Sequence, residues 1–211
     1  QMSKDAGMQL DNADEGDAGN LLRANTVTNN ELAGIDVVNG TQRARLLDNT
    51  VGANAKVGIR IAGSRAARVE GNRITASSEA GVLLEGASEN TLAENVLTGN
   101  GGEPVAITLA SNANRLERNQ ITANSKGVVI EQSNRNELVD NVVNELSDTA
   151  ISLTASSDTL IRGNDIRFNS GGVDVYQSSR NRIESNDVSE NSSSGIWIGD
   201  LSYDNVVVRN D

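Results

Sequence analysis

The chain alternates apolar and polar residues in short bursts. Phrases such as Gly34-Ile35-Asp36-Val37, Gly58-Ile59-Arg60-Ile61 and Gly81-Val82-Leu83-Leu84 place an apolar residue at every second position. A spacing of two is the period of a strand with one face buried. No i, i+3, i+4, i+7 stripe persists for three turns, so the pattern predicts strands and no long helix. After each phrase comes an asparagine with an apolar residue three positions before it and another two after. These asparagines are Asn25, Asn49, Asn72, Asn95, Asn119, Asn141, Asn164, Asn186 and Asn210, spaced 22 to 24 residues apart. A self-similar period of this length means one structural unit stacked on itself.

Each unit offers three short strands: the Gly-Ile-x-Leu phrase, the segment before the asparagine and the segment after it. Stacked in parallel at about 4.8 Å per coil, nine units make a rod on the order of 40 Å long. Identical asparagines then lie one strand spacing apart. Each amide is expected to donate to the carbonyl of the coil below and to accept from the coil above. Asn also tolerates the left-handed backbone of a sharp corner. A second column follows five residues later, with Asn30, Asn54, Asn100, Asn124, Asn169 and Asn191, interrupted by Ser77 and Leu146. In the fifth coil the phrase is read as starting at Ala106, with Ile107 and Leu109 inward. The excursion Asp11–Gly19 and the loop Asn100–Val105 are the expected irregularities.

The phrase G-[IV]-x-[LIV]…N-x-[LIV]-x-x-N-x-[IV] resembles the parallel β-helix repeat of the pectate lyase-like, mannuronan C5-epimerase-like and NosD-like families. The resemblance covers almost the whole chain. It implies an all-β, single-stranded right-handed parallel β-helix (a β-solenoid) of about nine coils of 21–27 residues. Those families include lyases, hydrolases, epimerases and non-catalytic modules, so the likeness specifies the fold more than the function. Residues 1–211 read as one such domain, opening and closing in mid-phrase as a piece of a longer chain would.

Composition narrows the chemistry. The sequence has no histidine and no cysteine, which excludes a Ser-His-Asp triad, an imidazole base, a His-Zn site and a disulfide framework. The Asp-Pro-His motif of the alginate epimerases is absent, because the single proline stands in Glu103-Pro104-Val105. The net charge of −11 disfavours nucleic acid, and no run of about 18 apolar residues predicts a membrane span. No cofactor is expected; a calcium ion is the one candidate, and it has no motif here. A secreted, periplasmic or cell-surface location in a bacterium fits this usage.

In β-helix enzymes the active site usually lies on the outer face of a parallel sheet. The outward position between the two apolar residues of the phrase reads Gln9, Asp36, Arg60, Leu83, Thr108, Val129, Ser152, Asp174 and Trp197. The next outward position reads Asp11, Val38, Ala62, Glu85, Ala110, Glu131, Thr154, Tyr176 and Gly199. Asp174, Tyr176 and Trp197 fall on adjacent coils, with Glu131 two coils away and Asp200 and Tyr203 in the next turn. Exposed aromatics beside carboxylates suit sugar rings and their hydroxyls. The second strand carries a charge mosaic, in which Glu94, Arg118 and Asp140 stack, Arg115 meets Glu137 and Arg162 meets Glu184. Arg45 and Arg68 form a like-charge pair. Thr28, Thr75, Thr98 and Thr122 share a column on the third strand.

The reading is an exported module associated with polysaccharide binding or processing, with Asp174, Tyr176, Trp197, Glu131 and Asp200 as substrate-binding candidates and no identifiable catalytic motif. The alternative is a non-catalytic spacer or assembly scaffold. An acidic or neutral polysaccharide is the expected partner. The rod's open ends are expected to be capped by further residues or by another subunit.

Overall fold

The computed structural model describes residues 5–13 and 19–211. Among these the strands stack into three parallel sheets with no helix. The first sheet has nine strands, from Met8–Asp11 to Ile196–Ile198, and carries the Gly-Ile-x-Leu phrases. The second, also of nine strands, runs from Leu21–Arg23 to Val206–Val208. Pairing is parallel and in register, so that Ile35 lies on Ile59 and Leu46 on Val69. Inward residues from the three sheets meet in one narrow aliphatic shaft, in which Ile59, Leu84, Ile107, Ile130 and Leu153 are fully buried. Among the described residues no helix is long and apolar enough to cross a membrane.

The third sheet stops early. It has six strands, from Thr26–Thr28 to Val142–Asn144, and continues only as single bridges through Asp165 and Asp187. The expectation of three strands in every coil therefore holds for only part of the rod. Ile166 and Val188 still fill the shaft there. The threonine column is present, with Thr75 on Thr98 on Thr122.

The asparagine ladder is continuous. The Asn72 amide oxygen accepts from both the backbone N–H and the Nδ2 of Asn49, at 2.9 and 3.0 Å. Asn72 Nδ2 donates in turn to Asn95 Oδ1 at 3.0 Å and to the Leu46 carbonyl at 2.8 Å. The amide does reach a backbone carbonyl in the coil below, as expected. The amide-to-amide links run the opposite way from expectation, each coil donating to the next. The left-handed residue at this corner is not the asparagine but the one before it. Ala24, Asp48, Gly71, Glu94, Arg118, Asp140, Gly163, Ser185 and Arg209 all have φ between 51° and 67°. That twist aims the asparagine N–H along the rod, where the next Oδ1 receives it.

The second column explains the glycine that opens each of the first four phrases. A Cβ on Gly34 would sit 2.7 Å from Asn54 Nδ2 and 2.8 Å from the Gly58 carbonyl. The amide rung and the next coil occupy that space. In the fifth coil Pro104 stands in the glycine position, and its carbonyl accepts from the Val82 N–H. The strand is therefore Val105–Thr108, with Val105 and Ile107 inward, Ala106 between them, and Thr108 stacked on Glu85. Leu109, expected inward, lies 60% exposed in the turn. The missing glycine shifted the reading by two residues. Of the Asp11–Gly19 excursion, residues 14–18 lie outside the described residues.

Two further columns escaped the sequence reading. Asn90, Asn114 and Asn136 form one, and Asn181 with Asn205 continues it. Ser111, Ser133, Ser156 and Ser178 form the other, each Oγ accepting a backbone N–H from the preceding coil. Their spacing matches the first ladder, which was the available signal. Where a column changes residue type the rung breaks. Asn54 Nδ2, Ser77 Oγ, Asn136 Nδ2 and Thr159 Oγ1 are buried without a partner.

The outer faces carry ion pairs as expected for Arg118 with Glu94, 3.1 Å, and for Arg115 with Glu137. Arg162 lies beside Glu184 in register, but Glu184 pairs with Arg182 on its own strand at 2.6 Å. Arg45 and Arg68 do stack, and Arg68 is neutralised by Glu70. Glu70, Glu117 and Glu184 are each held below the usual carboxylate value by a hydrogen bond from the arginine two residues earlier.

Two measurements follow. Asn95→Ala strands the buried N–H of Asn72 and removes the amide-to-amide bond of its Nδ2, which keeps the Leu46 carbonyl, and should cost about 2 kcal/mol in urea unfolding, whereas Ser77→Asn should complete its rung and add about 1 kcal/mol. The second concerns pH. A depressed folded-state pKa means that the native chain binds fewer protons than the unfolded one near the ordinary value of 4.5. The stabilisation is complete above that value and is lost as pH falls below it. The melting temperature should drop on acidification through that range, and a flat profile would contradict the ion-pair assignment.

Candidate functional site

On the outer face of the first sheet, Asp174 lies directly under Trp197 in register. The alternation of the strand Gly171–Tyr176 turns Val173 and Val175 into the shaft and leaves Asp174 and Tyr176 outside. The Trp197 and Tyr176 rings stack with centroids 6.4 Å apart and planes 9° from parallel. Trp197 is 44% and Tyr176 38% exposed, so the pair presents a flat apolar shelf to solvent. Gly199 makes this possible. A Cβ there would lie 1.9 Å from the Trp197 ring, which is laid across the glycine toward Tyr176.

Asp174 is held by Thr149, whose Oγ1 donates to Oδ2 at 3.1 Å. The carboxylate and Trp197 border a cavity of about 330 Å³ otherwise lined by Thr149, Ser170, Gly171, Ser193 and Ser194. The lining is thus hydroxyls, a glycine, one fixed carboxylate and Trp197. Hydroxyls both donate and accept, and the carboxylate accepts, which matches the edge of a sugar.

The other sequence candidates lie farther off. Glu131 is exposed in the Tyr176 column, two coils away through Thr154. Two strand spacings put it about 10 Å along the rod. Asp200 is exposed in the turn after Trp197, where its carbonyl accepts from the Gln177 N–H at 3.1 Å. Neither lines the cavity. Gly199, Thr149 and the serines were missed. They sit at the strand ends and in the turn before the phrase, where composition alone looks like generic loop.

Donors for a metal are sparse. The sequence lacks histidine and cysteine, and Met8 packs against the shaft. Among the described residues no three carboxylates, histidines or cysteines gather in one place.

A family model described as "Periplasmic copper-binding protein (NosD)" matches residues 2–125 and 101–211. No curated protein matches the sequence. Among solved structures, the chain resembles the periplasmic alginate epimerase AlgG, with a TM-score of 0.79 and 19% identity over 85% of this chain and 47% of that one. It also resembles the A-module of the mannuronan C-5 epimerase AlgE6 from Azotobacter vinelandii, at 0.72 and 17%, over 90% of this chain and 60% of that one. A third is DFA-IIIase from Arthrobacter chlorophenolicus A6, at 0.66 and 16%, over 84% and 50%. The chain spans about half the length of these structures, and likeness at such identity shows the fold alone.

The aromatic shelf is open to direct test. Gly199→Ala should push the indole off the glycine and away from Tyr176. Tryptophan emission should shift, with melting temperature little changed because this residue lies at the rod surface. Unaltered emission would contradict the stacked arrangement.

Proposed function

The chain belongs to the NosD family, and on that premise we propose that it is an exported module that binds a polysaccharide along the outer face of its first sheet. The observation that carries this reading is the exposed Tyr176–Trp197 shelf beside the fixed Asp174 and its hydroxyl-lined cavity. A sugar ring has an apolar face that stacks on an aromatic plane, and hydroxyls that a carboxylate and serines can bind. That the fold is shared with an alginate epimerase and a mannuronan epimerase supports this class of partner. The family's description supports a location outside the cytoplasm.

Copper, which the family's description names, does not fit this chain. Copper sites rely chiefly on thiolate, thioether and imidazole donors. This sequence has no histidine or cysteine; of its two methionines, Met8 packs partly buried against the shaft and Met2 lies outside the described residues. No step is assigned to the metal. At the far end of the rod, Ile198 and Val207 occupy inward positions yet are 41% and 44% exposed. In this reading a further coil or another subunit covers them.

Retention of the protein on immobilised polysaccharides, neutral and acidic, tests the proposal. Trp197→Ala and Asp174→Ala should each weaken binding about tenfold, equivalent to about 1.4 kcal/mol. Retention unchanged in both variants would leave a spacer scaffold as the reading.

A further inference from the structure

A second constellation lies toward the other end of the same face. Arg60 Nε donates to Glu85 Oε2 at 2.6 Å, and its Nη1 donates to Asp36 Oδ1 at 3.3 Å. The three side chains are 37%, 28% and 17% exposed, and burial raises the Asp36 pKa despite the adjacent guanidinium. Half-exposed ion pairs add little stability. This one also borders a cavity of about 320 Å³, with Leu83 beside it and Leu32, Lys56, Val57 and Glu79 as its wall. Locked from two sides, Arg60 still has N–H donors to spare, because a guanidinium carries five.

This cavity and the one at Trp197 occupy the same corner of the rod. Each is walled by the turn that precedes a first-sheet strand and floored by that strand's outward column. The column runs in register from Asp36 and Arg60 through Leu83, Ala106, Val129 and Ser152 to Asp174 and Trp197. Between the two polar ends it carries only short or apolar side chains, so nothing large or charged interrupts the floor. Seven strand spacings give a groove about 34 Å long.

The charges choose the ligand. Arg60 is held by Asp36 and Glu85, Lys56 lies 3.9 Å from Glu79, and Lys126 lies 2.9 Å from Glu103. Among the described residues, every cation along the groove is already matched by a carboxylate, and Asp174 adds one more. Among the described residues a polyanion would find no free positive partner there, and it would meet a protein of net charge −11. Uncharged hydroxyls, in contrast, find donors on Arg60 and acceptors on Asp36, Glu85 and Asp174.

We infer that this groove binds a single chain of a neutral polysaccharide parallel to the rod axis, with sugar units seated at both Asp36–Arg60–Glu85 and Tyr176–Trp197. The inference rests on the carbohydrate-binding reading above and assigns it a second subsite, a direction and a charge class. Occupying both ends at once ties affinity to chain length.

The test measures the affinity of the intact protein for inulin and a neutral β-glucan, against alginate and polygalacturonate, each as long chains and as short oligosaccharides. Neutral long chains should bind at least tenfold tighter than either acidic polymer. Arg60→Met and the mid-groove Val129→Arg should each weaken long-chain binding about tenfold and shrink the preference for long chains over short oligosaccharides. Circular dichroism verifies that both variants are folded. If Trp197→Ala abolishes binding while Arg60→Met and Val129→Arg do not affect long chains, the single-site reading stands and the groove is overturned. A preference for the acidic polymers also overturns it. If no polymer binds the unmodified protein, both readings fall.

Discussion

The structure depends on side chains of one kind lying above one another at the strand spacing. Backbone pairing alone would join the coils, but it would not tell one register from the next. The asparagine rungs do. In the first ladder each Oδ1 accepts both a backbone N–H and a side-chain N–H from the previous coil, as Asn119 does from Asn95 at 3.0 and 2.9 Å. A slip of one residue would bury unpaired amides, each at a cost of about 1–3 kcal/mol. The rungs also permit a thin core. The shaft is narrow, and its corners are buried polar groups satisfied along the axis rather than across it.

This stacking links fold to function. Because every coil repeats the same turn, residues at one position of the repeat become a straight column on the surface. Outward positions of the first sheet make a linear face whose chemistry changes coil by coil, from Asp36 and Arg60 at one end to Asp174 and Trp197 at the other. A straight column is suited to a straight polymer. A globular fold of this size gathers residues around a point, whereas this one spreads them along a line.

Much of this was legible in the chain. Spacing of two predicted the strands, and a period of 22 to 24 predicted the columns, since both follow directly from geometry. Tyr176 and Trp197 could be placed on adjacent coils for the same reason. The failures have physical causes. Pro104 took a glycine's place and hid the start of the fifth strand. The left-handed twist falls on residues as different as Ala24 and Arg118, so residue type does not announce it. Gly199 matters because of where one indole lies, and Thr149 because of which carboxylate it reaches. Asp36, Arg60 and Glu85 were visible as column members, but which charges close on one another depends on side-chain reach.

The rungs can be observed directly by exchange of the asparagine side-chain amide protons, followed by NMR in deuterated solvent. The Nδ2 protons of Asn72, Asn95, Asn119 and Asn141 should exchange as slowly as the backbone N–H groups of the central first-sheet strands, because both open only when coils separate. Exchange of these protons at the rate of an exposed asparagine such as Asn29 would contradict the account.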